Sequence, residues 1–248
     1  MSAREPAALM TALDFPAAPP ALRIAGKIRG LVPWVKVGLE LFSAAGPRVV
    51  HELKDLGFAV LLDLKFHDIP HTVHGAVLAA ARLRTDMLTL HVSGGERMIR
   101  AAVEAANSGP HRPLLFGVTV LTSMAPGELP ASRARSAKAL AGTAKKLALL
   151  ARAWGMDGVV CSGREARAIR QATGLRCLVP GIRLAPAAQD DQRRIVRPAG
   201  AVRAGADYLV VGRPITAAPD PVRAAEEILR DMRSAHPKPS PHTLRGAA

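Results

Sequence analysis

The densest group of residues able to do chemistry is Asp63-Leu-Lys65-Phe-His67-Asp68, which directly follows the apolar run Ala59-Val-Leu-Leu. On a strand, residues two apart point to the same side, so Asp63 and Lys65 are expected to share a face, with a second carboxylate, Asp68, three residues on. Flanking carboxylates favour the charged form of an amine, and a preorganised ammonium can stabilise a developing carbanion and then deliver a proton to it. Ile69-Pro70 disfavours helical geometry before the proline, and Thr72 is expected to cap the helix that follows. The plain alternative for this cluster is a solvated salt-bridge patch.

A second group could hold an anion. Pro180-Gly181-Ile-Arg183 and Gly212-Arg213 each follow a short apolar run. Glycine lets the backbone approach an anion closely, and Arg213 can donate a bidentate pair of hydrogen bonds. Asp14, Lys36, His91 and Thr122-Ser123 lie in or just after other apolar runs. Thr122 and Ser123 could read a heterocycle or could cap the next helix. His67 and His91 could be acid–base groups or hydrogen-bonded bystanders. The chain contains no Gly-x-Gly-x-x-Gly, no P-loop and no His-Glu-x-x-His, so dinucleotide, nucleoside triphosphate and zinc-protease readings lack support. No zinc-ligand spacing surrounds Cys161 and Cys177, which are read as buried, reduced thiols.

These groups need elements to hold them. Short apolar runs predict strands over 8–14, 32–38, 59–65, 87–91, 114–120, 158–161, 177–179 and 208–211. Between them, helical patterns are expected over 17–30, 39–56, 72–83, 96–107, 136–154, 164–172 and 192–204, with a last helix over 221–232. Strands alternating with helices imply parallel pairing through right-handed crossovers, and eight units suggest closure into a (β/α)8 TIM barrel of the α/β class; a doubly wound open sheet is the alternative. In a barrel the polar strand ends converge at one mouth, and the loops after strands seven and eight commonly bind phosphate.

The chain has 248 residues, and such a barrel needs ~250. Hydrophobic residues make up 49% but aromatics only 3%, which predicts a core of Ala, Val, Leu and Ile suited to helices on parallel strands. A single domain over 1–235 is expected, followed by a disordered basic tail over 236–248 that opens on His236-Pro-Lys-Pro-Ser-Pro. There is no run of ~18 apolar residues and no signal-peptide pattern, so the reading is a soluble cytoplasmic protein with no membrane partner. The net charge of +14 fits nucleic-acid binding, an anionic substrate or an Arg-rich composition alike. Arg133, Arg135, Lys138, Lys145, Lys146 and Arg152 crowd one stretch without interleaved aromatics, which favours a solvated helix face over a nucleic-acid surface.

Asp63-Leu-Lys65-Phe-His-Asp68-Ile-Pro-His-Thr72 resembles the Asp-x-Lys-x-x-Asp-Ile-Pro-x-Thr signature of the orotidine 5′-phosphate decarboxylases. The resemblance continues in family order through Leu13-Asp-Phe-Pro, Trp34-Val-Lys-Val-Gly, His91-Val-Ser-Gly-Gly, Val120-Leu-Thr-Ser, Val179-Pro-Gly-Ile-Arg, Asp191-Gln-Arg-Arg and Val211-Gly-Arg-Pro-Ile. It implies a cofactor-free and metal-free decarboxylation in which Lys65 is the proton donor within an array of Asp63, Lys65 and Asp68. Lys36 and Asp14 would extend that array toward the ribose. Asp68 and Thr72 would serve the neighbouring subunit's site in a homodimer. Thr122 and Ser123 would read the pyrimidine, while Arg183, Gln192, Gly212 and Arg213 would hold the phosphate and the closing loop.

Two other readings compete. Ketogulonate-phosphate decarboxylases and hexulose-phosphate synthases share the barrel but use magnesium and enediolate chemistry; their signature generally has Asp-Ala-Gly, or similar, where this chain has Asp68-Ile-Pro, and they lack the Leu-Thr-Ser segment. A basic nucleic-acid-binding barrel without catalysis is the other, and the intact Asp63, Lys65, Asp68 set speaks against it.

Overall fold

A computed structural model describes residues 5–109, 111–128, 136–184 and 195–235. Eight parallel strands close into a barrel in sequence order. They are β1 (Ala8–Ala12), β2 (Trp34–Gly38), β3 (Ala59–Phe66), β4 (Met87–His91), β5 (Leu114–Val118), β6 (Gly158–Val160), β7 (Arg176–Val179) and β8 (Tyr208–Val211). β1 pairs with both β2 and β8, which closes the ring and rules out the open sheet.

Alternation along the strands sorts side chains into two cores. Met10, Ala12, Leu61, Met87, Phe116, Leu178 and Val210 point inward and plug the barrel, with Trp34, Leu114, Val160 and Tyr208 packed against them. The rings of Trp34 and Phe116 meet Tyr208 edge-on at centroid distances of 5.4 and 5.7 Å. The plug tolerates no side chain at Gly158, where a Cβ would lie 2.4 Å from the Phe116 ring. The alternate, outward residues form a larger annulus between strands and helices, built chiefly from Val, Leu, Ile and Ala. Burial of that apolar area is the main source of stability, at roughly 25 cal/mol per Å².

The closed base repeats one device three times. Asp86, Asp157 and Asp207 each stand just before a strand, and each carboxylate accepts the backbone N–H of a residue on the preceding strand: Val60, Leu115 and Cys177, at 2.7–2.8 Å. A cation completes each one, from Lys54, Arg112 and Arg170 respectively. Two residues before each aspartate the chain turns through positive φ. Gly155 and Gly205 do this at no steric cost, whereas Arg84 does it at φ 59°.

The helices follow the expected rhythm, with differences that have local causes. The helix expected over 39–56 is two, α2 (Leu39–Ala45) and α3 (Arg48–Asp55), because Gly46 turns at φ 65° and Pro47 starts a new helix. The helix expected from Thr72 begins earlier, as α4 (Pro70–Arg82), with Pro70 in its first turn, where its missing N–H is not needed. α1 (Ala18–Ile28), α5 (Glu96–Ser108), α6 (Ala137–Ala153), α7 (Ala166–Thr173) and α10 (Pro221–Arg233) lie where helices were expected. α8 is described over Pro198–Arg203, and the expected start at 192 falls outside the described residues, as does the 236–248 tail. A short helix, α9 (Arg213–Thr216), and a 3-10 turn at Val92–Gly94 were not anticipated.

Ser136 caps α6 by accepting the Ala139 N–H, so Thr122 and Ser123 are not that helix's cap. Lys138, Lys145, Lys146 and Arg152 are exposed on α6, as a solvated face requires; Arg133 and Arg135 lie outside the described residues. Both cysteines are free and buried. No helix among the described residues is long and apolar enough to cross a membrane.

Candidate active site

Moving up each strand by two residues from the plug leads to the mouth, and there the inward positions turn polar. Trp34 is followed by Lys36, Leu61 by Asp63, and Met87 by Thr89. Parallel pairing sets Gly38 opposite Asp63, and the missing side chain at Gly38 leaves room for its neighbours. The result is a chain of alternating charges. The Lys36 ammonium sits 2.7 Å from Asp14 Oδ1 and 3.6 Å from Asp63 Oδ2, and the Lys65 ammonium lies 2.9 Å from Asp63 Oδ1. Burial of the Asp63 carboxyl would by itself raise its pKa. The ammonium groups of Lys36 and Lys65, with hydrogen bonds from Lys65 and Thr89, outweigh that and hold it below the ordinary carboxylate value.

Asp63 and Lys65 do share a face, but not through regular strand alternation. Leu62 pairs with Leu88 and Phe66 with Leu90, so Asp63, Leu64 and Lys65 together oppose Thr89 alone. Lys65 absorbs the excess in the left-handed region, at φ 51°. A residue with a side chain pays about 1–2 kcal/mol for that conformation, so strain sits at the lysine expected to do the chemistry. The Thr89 hydroxyl accepts the Lys65 backbone N–H at 3.0 Å and donates to Asp63 Oδ1 at 2.8 Å.

The arc of the mouth after β7 and β8, which closes onto β1, carries the anion-binding candidates. Pro180, Gly181, Arg183, Gly212 and Arg213 line the same cavity as Asp14, Lys36, Asp63 and Lys65, and Thr122 and Ser123 complete it from the loop after β5. Its volume is about 560 Å³, within the range of small-ligand sites. Its floor is the top of the barrel plug, Ala12, Leu61, Val160, Leu178 and Val210. Arg183 is buried, and that burial lowers its pKa; its Nη1 donates to the Ile182 carbonyl at 2.9 Å. The backbone around Arg183 is pinned to the far end of the loop: its N–H donates to the Val196 carbonyl, and the Val196 N–H to the Gly181 carbonyl. Gln192 falls between those anchors, outside the described residues.

Asp68 and Thr72 do not join this cavity. Both are exposed on the outer surface, near Ile69, which is 65% exposed. Asp68 accepts the Ile69 N–H at 2.7 Å, and Thr72 does not cap the following helix as the sequence led one to expect. α4 has Ile69 at its N-cap position without a side-chain cap, and Thr72, already inside the first turn, is past the place where a cap acts. His67 and His91 stack at a centroid distance of 5.2 Å. Burial, the neighbouring His67 and Lys65 lower the pKa of His91, against an opposing effect of Asp63. Among the described residues no group of three or more His, Cys, Asp or Glu side chains could hold a metal ion. Thr89 and Glu40 also line the cavity and were not anticipated. Thr89 was legible in principle, as the polar inward position of Met87-Leu-Thr-Leu-His91, whereas Glu40 lies in the first turn of a helix and carried no such signal.

Comparison with known proteins agrees with this geometry. Residues 7–228 match the model of the orotidine 5′-phosphate decarboxylase/HUMPS family. An orotidine 5′-phosphate decarboxylase of Nitratidesulfovibrio vulgaris (strain DP4) is 55% identical over 233 residues, covering 91% of this chain and 97% of that protein. The crystal structure of orotidine 5′-phosphate decarboxylase from Lactobacillus acidophilus superposes with a TM-score of 0.79 at 35% identity, covering 91% of this chain and 99% of that one. An uncharacterized conserved protein from Geobacillus kaustophilus gives a TM-score of 0.76 at 37% identity, covering 90% and 99%. With the match running through every strand of the barrel, the chain belongs to the orotidine 5′-phosphate decarboxylase family.

Proposed function

We propose that the barrel mouth converts orotidine 5′-phosphate to uridine 5′-phosphate, the last step of de novo pyrimidine nucleotide synthesis, by direct decarboxylation at Lys65. The observation that carries this reading is one cavity lined by the run Lys65, Asp63, Lys36, Asp14 around the mouth from β3 to β1 and, continuing past β8 and β7, by Arg213 and Arg183. The reacting ring and a phosphate placed at those two ends would account for every charged group in the cavity except Glu40.

Cleavage of the ring carbon–carboxylate bond releases carbon dioxide and leaves the electron pair in an orbital lying in the ring plane, out of reach of the π system. The Lys65 ammonium opposes that charge electrostatically and then gives its proton to the same carbon, forming the C–H bond. Lys65 is regenerated by a proton from solvent. Asp63 holds the ammonium in place. Lys36 and Asp14 are assigned to the ribose, Thr122 and Ser123 to the pyrimidine, and Arg183, Gln192, Gly212 and Arg213 to the phosphate. The apolar floor excludes water and strengthens each of these interactions. Phosphate contacts, remote from the reacting carbon, supply binding energy for positioning.

The exposed Asp68 and Thr72 are assigned to the site of a second copy, in a homodimer that shares its active sites. The reaction uses no metal or organic cofactor, no nucleic acid partner is involved, and the enzyme works in the cytoplasm. The test follows the absorbance change as orotidine 5′-phosphate is consumed, before and after exhaustive chelation. Equal rates are expected. No turnover would overturn the assignment, and activity lost on chelation and restored by magnesium would place the chain with the enediolate enzymes.

A further inference from the structure

Thr89 is buried at 1% exposure on β4, and its hydroxyl stands where the ladder between β3 and β4 fails. Leu62 and Phe66 pair with Leu88 and Leu90, so the Lys65 N–H opposes a side chain instead of a regular ladder carbonyl. The Thr89 hydroxyl takes that N–H at 3.0 Å and donates to Asp63 Oδ1 at 2.8 Å. The polarity of the two bonds follows from the groups themselves. An amide N–H can only donate and a carboxylate can only accept, so the hydroxyl proton must point at Asp63. Asp63 Oδ1 also receives the Lys65 ammonium at 2.9 Å. Backbone N–H, hydroxyl, carboxylate and ammonium thereby form a closed ring that begins and ends on Lys65.

We infer that Thr89 is a positioning residue: its hydroxyl holds Lys65 in the left-handed turn and orients the Asp63 carboxylate, so that the ammonium is aimed before substrate arrives. This rests on the reading of Lys65 as the reacting group. Two independent features of the structure point the same way. Lys65 and Arg84 are the two described non-glycine residues with positive φ, and Lys65 is the one at the cavity. The only side-chain groups hydrogen-bonded to Asp63 among the described bonds are Lys65 and Thr89. A strained backbone persists only where its surroundings over-determine it, and Thr89 supplies one bond to the strained residue's own N–H and one to the carboxylate that holds its ammonium.

Thr89→Val keeps the shape and removes the hydroxyl, while Thr89→Ser keeps the hydroxyl and removes the methyl. Loss of a hydrogen bond to a charged group predicts that kcat for orotidine 5′-phosphate falls roughly ten- to hundredfold in Thr89→Val, with KM within about threefold, because the phosphate contacts are untouched. Thr89→Ser should stay within about threefold of the parent in both, on the same reasoning. The Asp63 carboxyl faces Lys65 on its own strand, Lys36 on β2 and Thr89 on β4, with His91 near by. Removing one donor from that set should move its titration, followed by carboxyl NMR, to higher pH in Thr89→Val and leave it in place in Thr89→Ser. Should Thr89→Val fail to fold, Thr89→Ala carries the same expectations.

Parent-like kcat in Thr89→Val, or an impairment that follows the lost methyl instead of the lost hydroxyl, would overturn the inference. The titration separates this from the functional reading. If the parent protein does not turn over the substrate but the Asp63 titration still moves, the reading of the reaction fails and the role of Thr89 stands. If the parent turns over and neither kcat nor the titration responds, the reverse holds.

Discussion

Gly38→Ala should separate activity from stability. An added Cβ would lie 2.7 Å from the Lys36 ammonium nitrogen and 2.9 Å from Asp14 Oδ1. Ordinary contact is about 3.5 Å, so the two atoms must give way by about 0.6–0.8 Å. Both atoms are the free ends of side chains, and no backbone atom is within 4 Å. The Gly38 backbone, at φ −95° and ψ −175°, suits alanine as well as glycine. Replacing glycine where the conformation is compatible stabilises a fold by about 0.4–1 kcal/mol through the unfolded chain, so unfolding free energy should be unchanged or slightly higher. The Lys36–Asp14 contact, at 2.7 Å, should be lost. A charge-assisted bond is worth about 1.5–3 kcal/mol, and with Asp14 half exposed the low end applies, which is about a tenfold loss in kcat/KM. Urea unfolding and steady-state kinetics on the same preparation make the test. Parent-like kcat/KM would show that the Lys36–Asp14 pair contributes nothing, and a stability loss beyond about 2 kcal/mol would show that Gly38 is needed by the fold rather than by the site.

Lys65→Ala and Asp68→Ala should each be inactive alone, yet when unfolded together and refolded in equal amounts they should recover about a quarter of parent activity, since half the dimers are mixed and half their sites intact; no recovery in a demonstrated mixed dimer would mean that Asp68 serves its own chain. Arg213→Ala should weaken use of the phosphorylated substrate by about 1.5–3 kcal/mol in kcat/KM, and unchanged kinetics would remove Arg213 from the phosphate site. The pH dependence of stability should show two windows. The lowered pKa of His91 means that the unfolded chain binds a proton first as pH drops below about 6.5, so stability is lost from there down to the folded pKa and then stays constant. The lowered pKa of Asp63 contributes stability present above about 3.9 and lost as pH falls through its folded value. Urea midpoints should therefore lose the upper window in His91→Gln and keep the lower; a curve identical to the parent's would refute the assignment.

The barrel was legible because its strands are short apolar runs and its helices carry apolar stripes, signals local enough to read along the chain. Asp63 and Lys65 were legible for the same reason, being two residues apart on a strand that ends in polar residues. The means by which they meet was not. The break in pairing beside Lys65 arises between residues on different strands, and strict alternation of side chains contains no trace of it. The base aspartates escaped notice for a related reason: Asp86 reaches back 26 residues to the Val60 N–H, and only closure brings them together. The split between α2 and α3 was written locally in Gly46-Pro47 and could have been read. That Asp68 and Thr72 serve a neighbouring subunit's site rests on resemblance alone, and the single chain leaves both exposed, where no periodicity distinguishes them from other exposed polar residues.

The placement of each polar mouth residue two positions above a plug residue ties heredity to chemistry. Trp34 and Lys36, Leu61 and Asp63, and Met87 and Thr89 ride on the same strands, and a strand has only two sides. Deleting Val35 from β2 would make Trp34 and Lys36 neighbours on opposite faces, so that with Trp34 kept in the plug the ammonium would turn among the apolar side chains of the annulus. The lineage can therefore drift in helix length or loop length, but not in strand length by one. Gene variants with single-residue gaps in these strands should disappear from a library at the level of soluble protein, before any selection for pyrimidine synthesis acts on them.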